Sequence, residues 1–413
     1  MPRISLIGAA CAVALAALFS GLGQTTPVRR GLASDIQSHT TRRATSAQAA
    51  NLPYGGGPVL HSNRSHLIFW QPAGSGLTYE PRYQSLIERF LVNVAAASRS
   101  RSNVYGLTGQ YTDSHGPAAY ASSYGGSAVA TDRLPPNGCT EPPTIGPGWT
   151  VCLTDDQLVT EIEHVIRSDH LPRGPTDIYF LVLPSGFGSC TTSDSSSCAL
   201  GGGVNGYCGY HSQSPDGNVL YAVIPYNAVP GHCQSDSPRP NSSAADPAIS
   251  TISHEQSEMI TDPENDAWVD SSGNEVGDLC RPSFGPVIGG SGATAWNEDI
   301  NGGHYYLQEE WSNADGACEP RAKPDSVSLT AAPVPGRPWT IAFDGHALDP
   351  DGRVVAYHWF FGDGTGSHGH TVTHRYAHPG DYRVVLRITD SWGNWAFYTA
   401  TETVGTARAA KSG

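Results

Sequence analysis

The chain has 413 residues, a formal net charge of −14 and only 15% charged residues, against 47 Gly and 31 Pro. That length holds two or three domains. The acidic balance argues against a nucleic-acid-binding surface, which needs basic patches to neutralise phosphate. Few charges and many loop-forming residues suit an extracellular protein better than a helical cytosolic one.

In chain order, residues 1–23 read as a signal peptide. Arg3 supplies a basic start, Ile4 to Phe19 an apolar stretch too short for a transmembrane span, and Gly21-Leu22-Gly23 a small-x-small cleavage site. Cys11 lies inside that stretch with Gly8, not leucine, three places before it, so no lipid anchor is expected. The expected product is secreted and extracellular, with no stable membrane anchor. Residues 24–50, rich in Thr, Ser, Ala and Arg without any period, read as a flexible leader. Order begins near Gly55-Gly56-Gly57-Pro58.

Ser65–Trp70 forms a short apolar strand. Tyr83–Ala97 places Leu86, Phe90, Leu91 and Val94 at helical spacing, and Thr154–Arg167 does the same with Leu158, Ile162 and Val165 behind a Thr154 N-cap. Asp177–Pro184 is a continuous apolar run bounded by breakers, which suits a buried central strand, and Val219–Pro225 is a second. A Ser/Gly/Cys-rich loop carrying His211 lies between them. Residues 247–262 form a third helix, opened by Pro247 and stopped by Pro263. The stretch 263–320 is irregular, with Trp268, Trp296 and Trp311 packing it. These elements predict an α+β domain over 51–320, and the pattern turns to β from 325 to 406.

Apart from Cys11, eight cysteines remain, an even number that in an exported chain implies a disulfide framework. Their clustering pairs Cys139 with Cys152, Cys190 with Cys198, Cys208 with Cys233 and Cys280 with Cys318. No C-x-x-C pair favours a cysteine-ligated zinc site instead.

From Asp325 onward, short alternating strands are separated by Gly/Asp turns, the signature of a small sandwich. Asp349-Pro350-Asp351-Gly352, Trp359 to Thr365 (WFFGDGT), His374-Arg375-Tyr376, Pro379-Gly380-Asp381-Tyr382 and Thr389-Asp390 resemble, in order and spacing, the PKD (polycystic kidney disease) domain. The resemblance implies an all-β, immunoglobulin-like sandwich that is non-catalytic, with Trp359 as its core anchor and Gly362-Asp363-Gly364 as a tight turn. Asp349, Asp351 and Asp390 offer hard oxygen ligands for Ca²⁺, or cap turns.

The chemistry concentrates in Ser253-His254-Glu255-Gln256-Ser257-Glu258, continuing to Asp262-Pro263. Residues four apart on a helix lie about 40° from each other, so His254 and Glu258 share a face and can grip one ion, with Asp262 one turn further. Glu255 occupies the place of the general base in H-E-x-x-H zinc peptidases, but Glu258 replaces the second histidine. That donor set suits Zn²⁺, and Ca²⁺ or manganese as well. His211, Glu275 and Asp278 are candidates to complete it.

The segments around this helix resemble a family too. Gly55 to Leu60, Tyr207-Cys208-Gly209-Tyr210-His211, His254-Glu255 to Asp262-Pro263, Glu275 to Cys280, Tyr305 to Gln308 and Cys318 are similar to the exordium-like (phosphate-induced) proteins. The resemblance implies a diverged zincin-like helix and an extracellular or cell-wall setting. Two readings follow. One is a secreted metal-dependent hydrolase, a zinc peptidase in which the ion lowers the pKa of water and Glu255 takes its proton, acting on an extracellular protein or cell-wall polymer. The other is a non-catalytic extracellular or wall-binding protein with a structural ion or none. No phosphate loop (G-K-[ST]) and no G-x-S-x-G elbow is present.

Overall fold

The computed structural model describes residues 31–34, 51–140, 148–194, 196–200, 202–203, 206–233, 236–321, 323–349, 353–390 and 395–405. The expected signal peptide, most of the leader and Asp351 lie outside them.

The large domain is organised by a six-stranded sheet. Its strands are β1 (Gly31–Ser34), β2 (Asn63–Trp70), β3 (Ser122–Ala130), β4 (Asp177–Val182), β5 (Tyr207–Gln213) and β6 (Leu220–Ile224), in the order β1-β5-β6-β4-β2-β3. The four strands β6, β4, β2 and β3 run parallel, while β5 is antiparallel to β6 and β1 antiparallel to β5. Parallel neighbours need crossover connections. α1 (Tyr83–Ala96) lies between β2 and β3, and α2 (Asp155–Ser168) between β3 and β4.

Both sheet faces are covered, as parallel strands require. Leu67 and Phe69 of β2 face a core with Leu86, Phe90, Leu91 and Val94 of α1 and Ile249, Ile252 and Ile260 of α3 (Ala245–Thr261). Ile68 and Trp70 face the other way, onto Leu158, Ile162 and Val165 of α2. Two crossover helices, α1 and α2, therefore join parallel strands from opposite faces of the sheet. The segregated α+β arrangement expected from the sequence is corrected to a three-layered, mainly parallel α/β sheet. The reason is β3, whose SSYGGSAVA sequence carries no strong strand signal yet pairs in parallel with β2 along its whole length.

Three further expectations change. His211 lies on β5 and not in a loop, because β5 is hydrogen-bonded on both edges, to β1 and to β6. Residues 31–34, expected within a flexible leader, form β1, whose backbone supplies the partner that the β5 edge needs. The stretch 263–320 is not wholly irregular. Glu298–Ile300 pairs with Gly303–Tyr305, and Glu310–Ser312 with Ala317–Glu319.

All four expected disulfides form: Cys139–Cys152, Cys190–Cys198, Cys208–Cys233 and Cys280–Cys318. Each typically contributes a few kcal/mol, mostly by restricting the unfolded chain. The first two lie side by side, with Cys152 Sγ 3.7 Å from Cys190 Sγ, so this sulfur cluster is covalently satisfied. Thr154 caps α2 in a capping box with Gln157, as its sequence implies.

The C-terminal body is a sandwich of a three-stranded and a four-stranded antiparallel sheet. Trp359 is buried among Phe343, Phe361, Tyr376, Val384 and Leu386, and its Nε1 donates to Gly369 O at 2.8 Å. Gly362 and Gly364 take φ of 81° and 86°, which other residues adopt only with strain, and Asp363 between them accepts from Thr365 N and Oγ1. The calcium expectation at Asp349, Asp351 and Asp390 turns on Asp351, outside the described residues.

Glu161 of α2 gives a pH test of the fold. Burial first, and Asp132 second, push its carboxyl up to about 7 from 4.5, and its Oε1 has no hydrogen-bond partner among the described residues. A carboxyl with a raised folded pKa holds its proton more tightly in the fold. Its stabilising effect is full below about pH 4.5 and is lost as pH rises through about 7. Glu161→Gln should therefore melt about 2–4 °C above the parent at pH 8 and together with it near pH 4; equal melting at both pH values would remove this assignment.

Candidate metal centre

The helix α3 is buried over all 17 residues, although its sequence is ADPAISTISHEQSEMIT. Every polar side chain on it therefore has to find a partner inside the protein, or ionisation becomes costly. Asp246 closes the first turn, accepting from Ser243 N at 3.1 Å, and Pro247 sits in that turn, where its missing N–H costs nothing. Gln256 is satisfied: it accepts from Tyr105 Oη at 2.9 Å and donates to Ser65 Oγ at 3.0 Å.

The ionisable residues of the same helix converge elsewhere. His254 Nε2 lies 3.0 Å from Glu258 Oε1 and 3.8 Å from Asp278 Oδ1. One strand away, His211 Nδ1 lies 3.3 Å from Glu255 Oε2 and 3.6 Å from Glu258 Oε2, and its Nε2 lies 3.7 Å from Glu275 Oε1. Two triads of metal-ligand atoms result, His254/Glu258/Asp278 and His211/Glu258/Glu275, each with its ligand atoms within 4.8 Å of one another. All five residues are buried.

Loops from the last part of the domain hold these side chains. The turn Asp278–Cys280 is tied to Cys318 by a disulfide, and Trp311 N donates to Val276 O at 2.8 Å. Gln308 contacts His254 Nδ1 at 3.2 Å and donates to Gly277 O at 2.7 Å, which leaves His254 Nε2 turned to the carboxylates. Asn265 contacts His211 Nε2 at 3.2 Å. The close packing demands glycine at two places. A Cβ on Gly277 would stand 2.5 Å from His254 Nδ1, and one on Gly209 would stand 2.8 Å from Glu255 Oε1.

The electrostatics call for positive charge. Burial would lower both imidazoles, but Glu258 carries His254 up to about 10, and Glu275, Glu255 and Glu258 carry His211 well above its usual value. Burial raises Asp278 to about 8, with Glu258 adding to it, and drives Glu275 and Glu310 well above the carboxylate range. Glu255 Oε1, Glu258 Oε2, Asp278 Oδ1 and both oxygens of Glu275 and Glu310 have no hydrogen-bond partner among the described residues. Orphaned acceptors beside imidazole nitrogens, in a site this closed, fit a divalent cation.

The sequence-predicted residues thus come together with one difference. His254, Glu258, His211 and Asp278 line the centre, with Glu255 beside His211. Asp262 stands outside both triads: it ends α3, and its Oδ1 accepts from Asp266 N and Ala267 N, each at 2.7 Å. Glu310 and Gln308 went unrecognised as part of the centre. Glu310 sits on a strand of three residues, and no spacing links either residue to the helix.

Comparison with known proteins speaks to the other end of the chain. Its C-terminal body has the architecture of a small immunoglobulin-like sandwich. Residues 330–404 match the PKD domain family, so this module is a PKD domain. The chain is 46% identical over 59 residues to a microbial collagenase of Vibrio alginolyticus (14% of this chain, 7% of that protein). It is also 46% identical over 54 residues to collagenase ColA of Clostridium perfringens (13% and 5%). The chain thus spans less than a tenth of the length of these curated relatives. Among solved structures, the PKD1 domain of Vibrio anguillarum Epp is 26% identical, covering 21% of this chain and 98% of that one with a TM-score of 0.19.

The Gly277 contact gives a direct test. If the His254 group holds a zinc ion, Gly277→Ala should push the His254 ring off its place and weaken zinc uptake by tenfold or more in a chelator competition, with the melting of the PKD domain unchanged. Unaltered affinity would separate His254 from the ion.

Proposed function

We propose that the protein is a secreted metal-dependent hydrolase, a zinc peptidase of zincin-like chemistry in the large domain, with the PKD domain as a non-catalytic accessory module. The observation that carries this reading is the triad His254/Glu258/Asp278 on a buried helix with Glu255 next to it in sequence. When bound, the ion supplies Lewis acidity, polarising a substrate carbonyl and acidifying water. Glu255 is the general base. Its Oε1 is unpartnered, and its Oε2 faces His211, which keeps the carboxylate oriented and offers a place for the proton to be shared. Gln308 fixes the His254 ring, and Gly209 lets the β5 backbone approach Glu255. The eight paired cysteines agree with an exported protein, and the relatives that share the PKD sequence are named collagenases, which favours an extracellular protein as substrate. The helix motif and its flanking segments remain the grounds for the exordium-like resemblance.

A second reading is favoured by one observation: the donors are buried, with Glu255, Glu258, Glu275 and His211 at 0% exposure. A fully enclosed ion can be purely structural, in a non-catalytic extracellular or wall-binding protein. Access distinguishes the two. β1 occupies the β5 edge opposite His211 and lies against α3 and the Asp278–Cys280 turn, so part of the enclosure comes from residues 31–34.

Glu255→Gln should lower amide hydrolysis of a fluorescent peptide library by about 10²–10⁴-fold while leaving zinc content unchanged. Activity that survives the change would sink Glu255 as the base. A chain beginning at Asn51 should hydrolyse faster than the full chain; equal rates would mean that β1 does not control entry.

A further inference from the structure

The ionisable groups around α3 outnumber what one ion can use. Glu255, Glu258, Glu275, Asp278 and Glu310 are five buried acids, and among the described residues Arg281, with its NH1 3.5 Å from Asp278 Oδ1, is the single Lys or Arg within 4.0 Å of any of them. With both histidines neutral these five leave four formal negative charges, and buried Asp262 beside them adds to the excess, more than one divalent cation neutralises. The geometry divides the donors in the same way. Glu258 turns Oε1 toward His254 and Oε2 toward His211, and the two imidazoles each lie beside a further carboxylate, Asp278 and Glu275 respectively.

We propose that the cluster is a two-ion centre in which Glu258 bridges two divalent first-row cations, one held with His254 and Asp278 and the other with His211 and Glu275. The reading rests on the metal-dependent hydrolase assignment only for the first ion. Three observations support the second. The atoms His211, Glu258 and Glu275 offer lie within 4.8 Å of one another. Both Glu275 oxygens are completely buried and unpartnered, a costly arrangement without a cation. Two histidines with three shared carboxylates, one pair of them a turn apart on a helix, resemble in kind the mixed carboxylate–histidine donor sets that hold two ions in helical-bundle carboxylate sites. Imidazole mixed with carboxylate suits zinc, manganese or iron better than calcium. Two-metal sites in which the ions lie about 3.5–4 Å apart can clamp the attacking and leaving oxygens of one reaction, the chemistry two ions would supply here.

The full chain, stripped with chelator and re-titrated with zinc or with manganese alone, tests this. Elemental analysis should give two ions per chain, and the manganese form should show an exchange-coupled electron paramagnetic resonance spectrum. Glu275→Gln, nearly isosteric, should take up one ion with an isolated six-line manganese spectrum and should melt cooperatively. Glu258→Gln should weaken both ions tenfold or more. Saturation at one ion, no uptake of either metal, or two ions in Glu275→Gln would overturn the proposal. Two ions in a protein without amide hydrolysis would uphold the centre and remove the peptidase reading. One ion with Glu255-dependent hydrolysis would do the reverse.

Discussion

The structure is built around the burial of a charged helix. α3 carries His254, Glu255 and Glu258 in a segment with no exposed residue, and ionised side chains in such surroundings are costly unless each is answered by opposite charge. The rest of the large domain is arranged to give that answer. β5 brings His211 across from one side, and the segments after α3 bring Glu275 and Asp278 on turns and Glu310 on a short strand from the other. Two close approaches, by Gly209 and Gly277, allow the backbone to come near enough. The hydrophobic layers on the two faces of the sheet supply the stability that this polar interior lacks.

Regular elements with a strong period were legible in the sequence. The three helices begin and end within two residues of their expected limits, because each has an apolar stripe, and the strands β2, β4 and β6 contain the apolar runs LIFW, IYFLV and LYAVI. The disulfides were legible because neighbours in sequence paired with neighbours. The strands that escaped are those whose reason for existing is tertiary. β3 is rich in Gly and Ser, and it is a strand because β2 offers it a parallel edge. β5 reads as YCGYHSQ, in which Cys and Gly look like loop residues, yet Tyr207 and Tyr210 are buried against each other and its backbone is paired on both sides.

The site was legible to the extent that it lies on one helix. His254 and Glu258 could be placed on one face by arithmetic alone, and the same arithmetic overreached at Asp262, where the helix has already ended and the side chain closes the next turn. Ligands delivered by loops carry no periodic signal. Glu275 and Asp278 could be named because they stand just before a cysteine expected to be bridged. Glu310 could not, since it enters from a short hairpin and its relation to His254 exists only in the fold.

The two halves of the chain divide function along the same line. The PKD sandwich ties Trp359, Asp363 and the Tyr376 hydroxyl internally, the last donating to Phe361 O at 3.2 Å, and leaves scattered single atoms such as Trp339 Nε1 and Arg387 Nε without a partner among the described residues. The large domain leaves carboxylate oxygens unpartnered at its centre, in a region otherwise packed as tightly as any core. The deficit exceeds what His254, His211 and Arg281, the basic groups within 4.0 Å among the described residues, can answer. It can be repaired by protons, at the cost of the charge a hydrolase would use, or by cations.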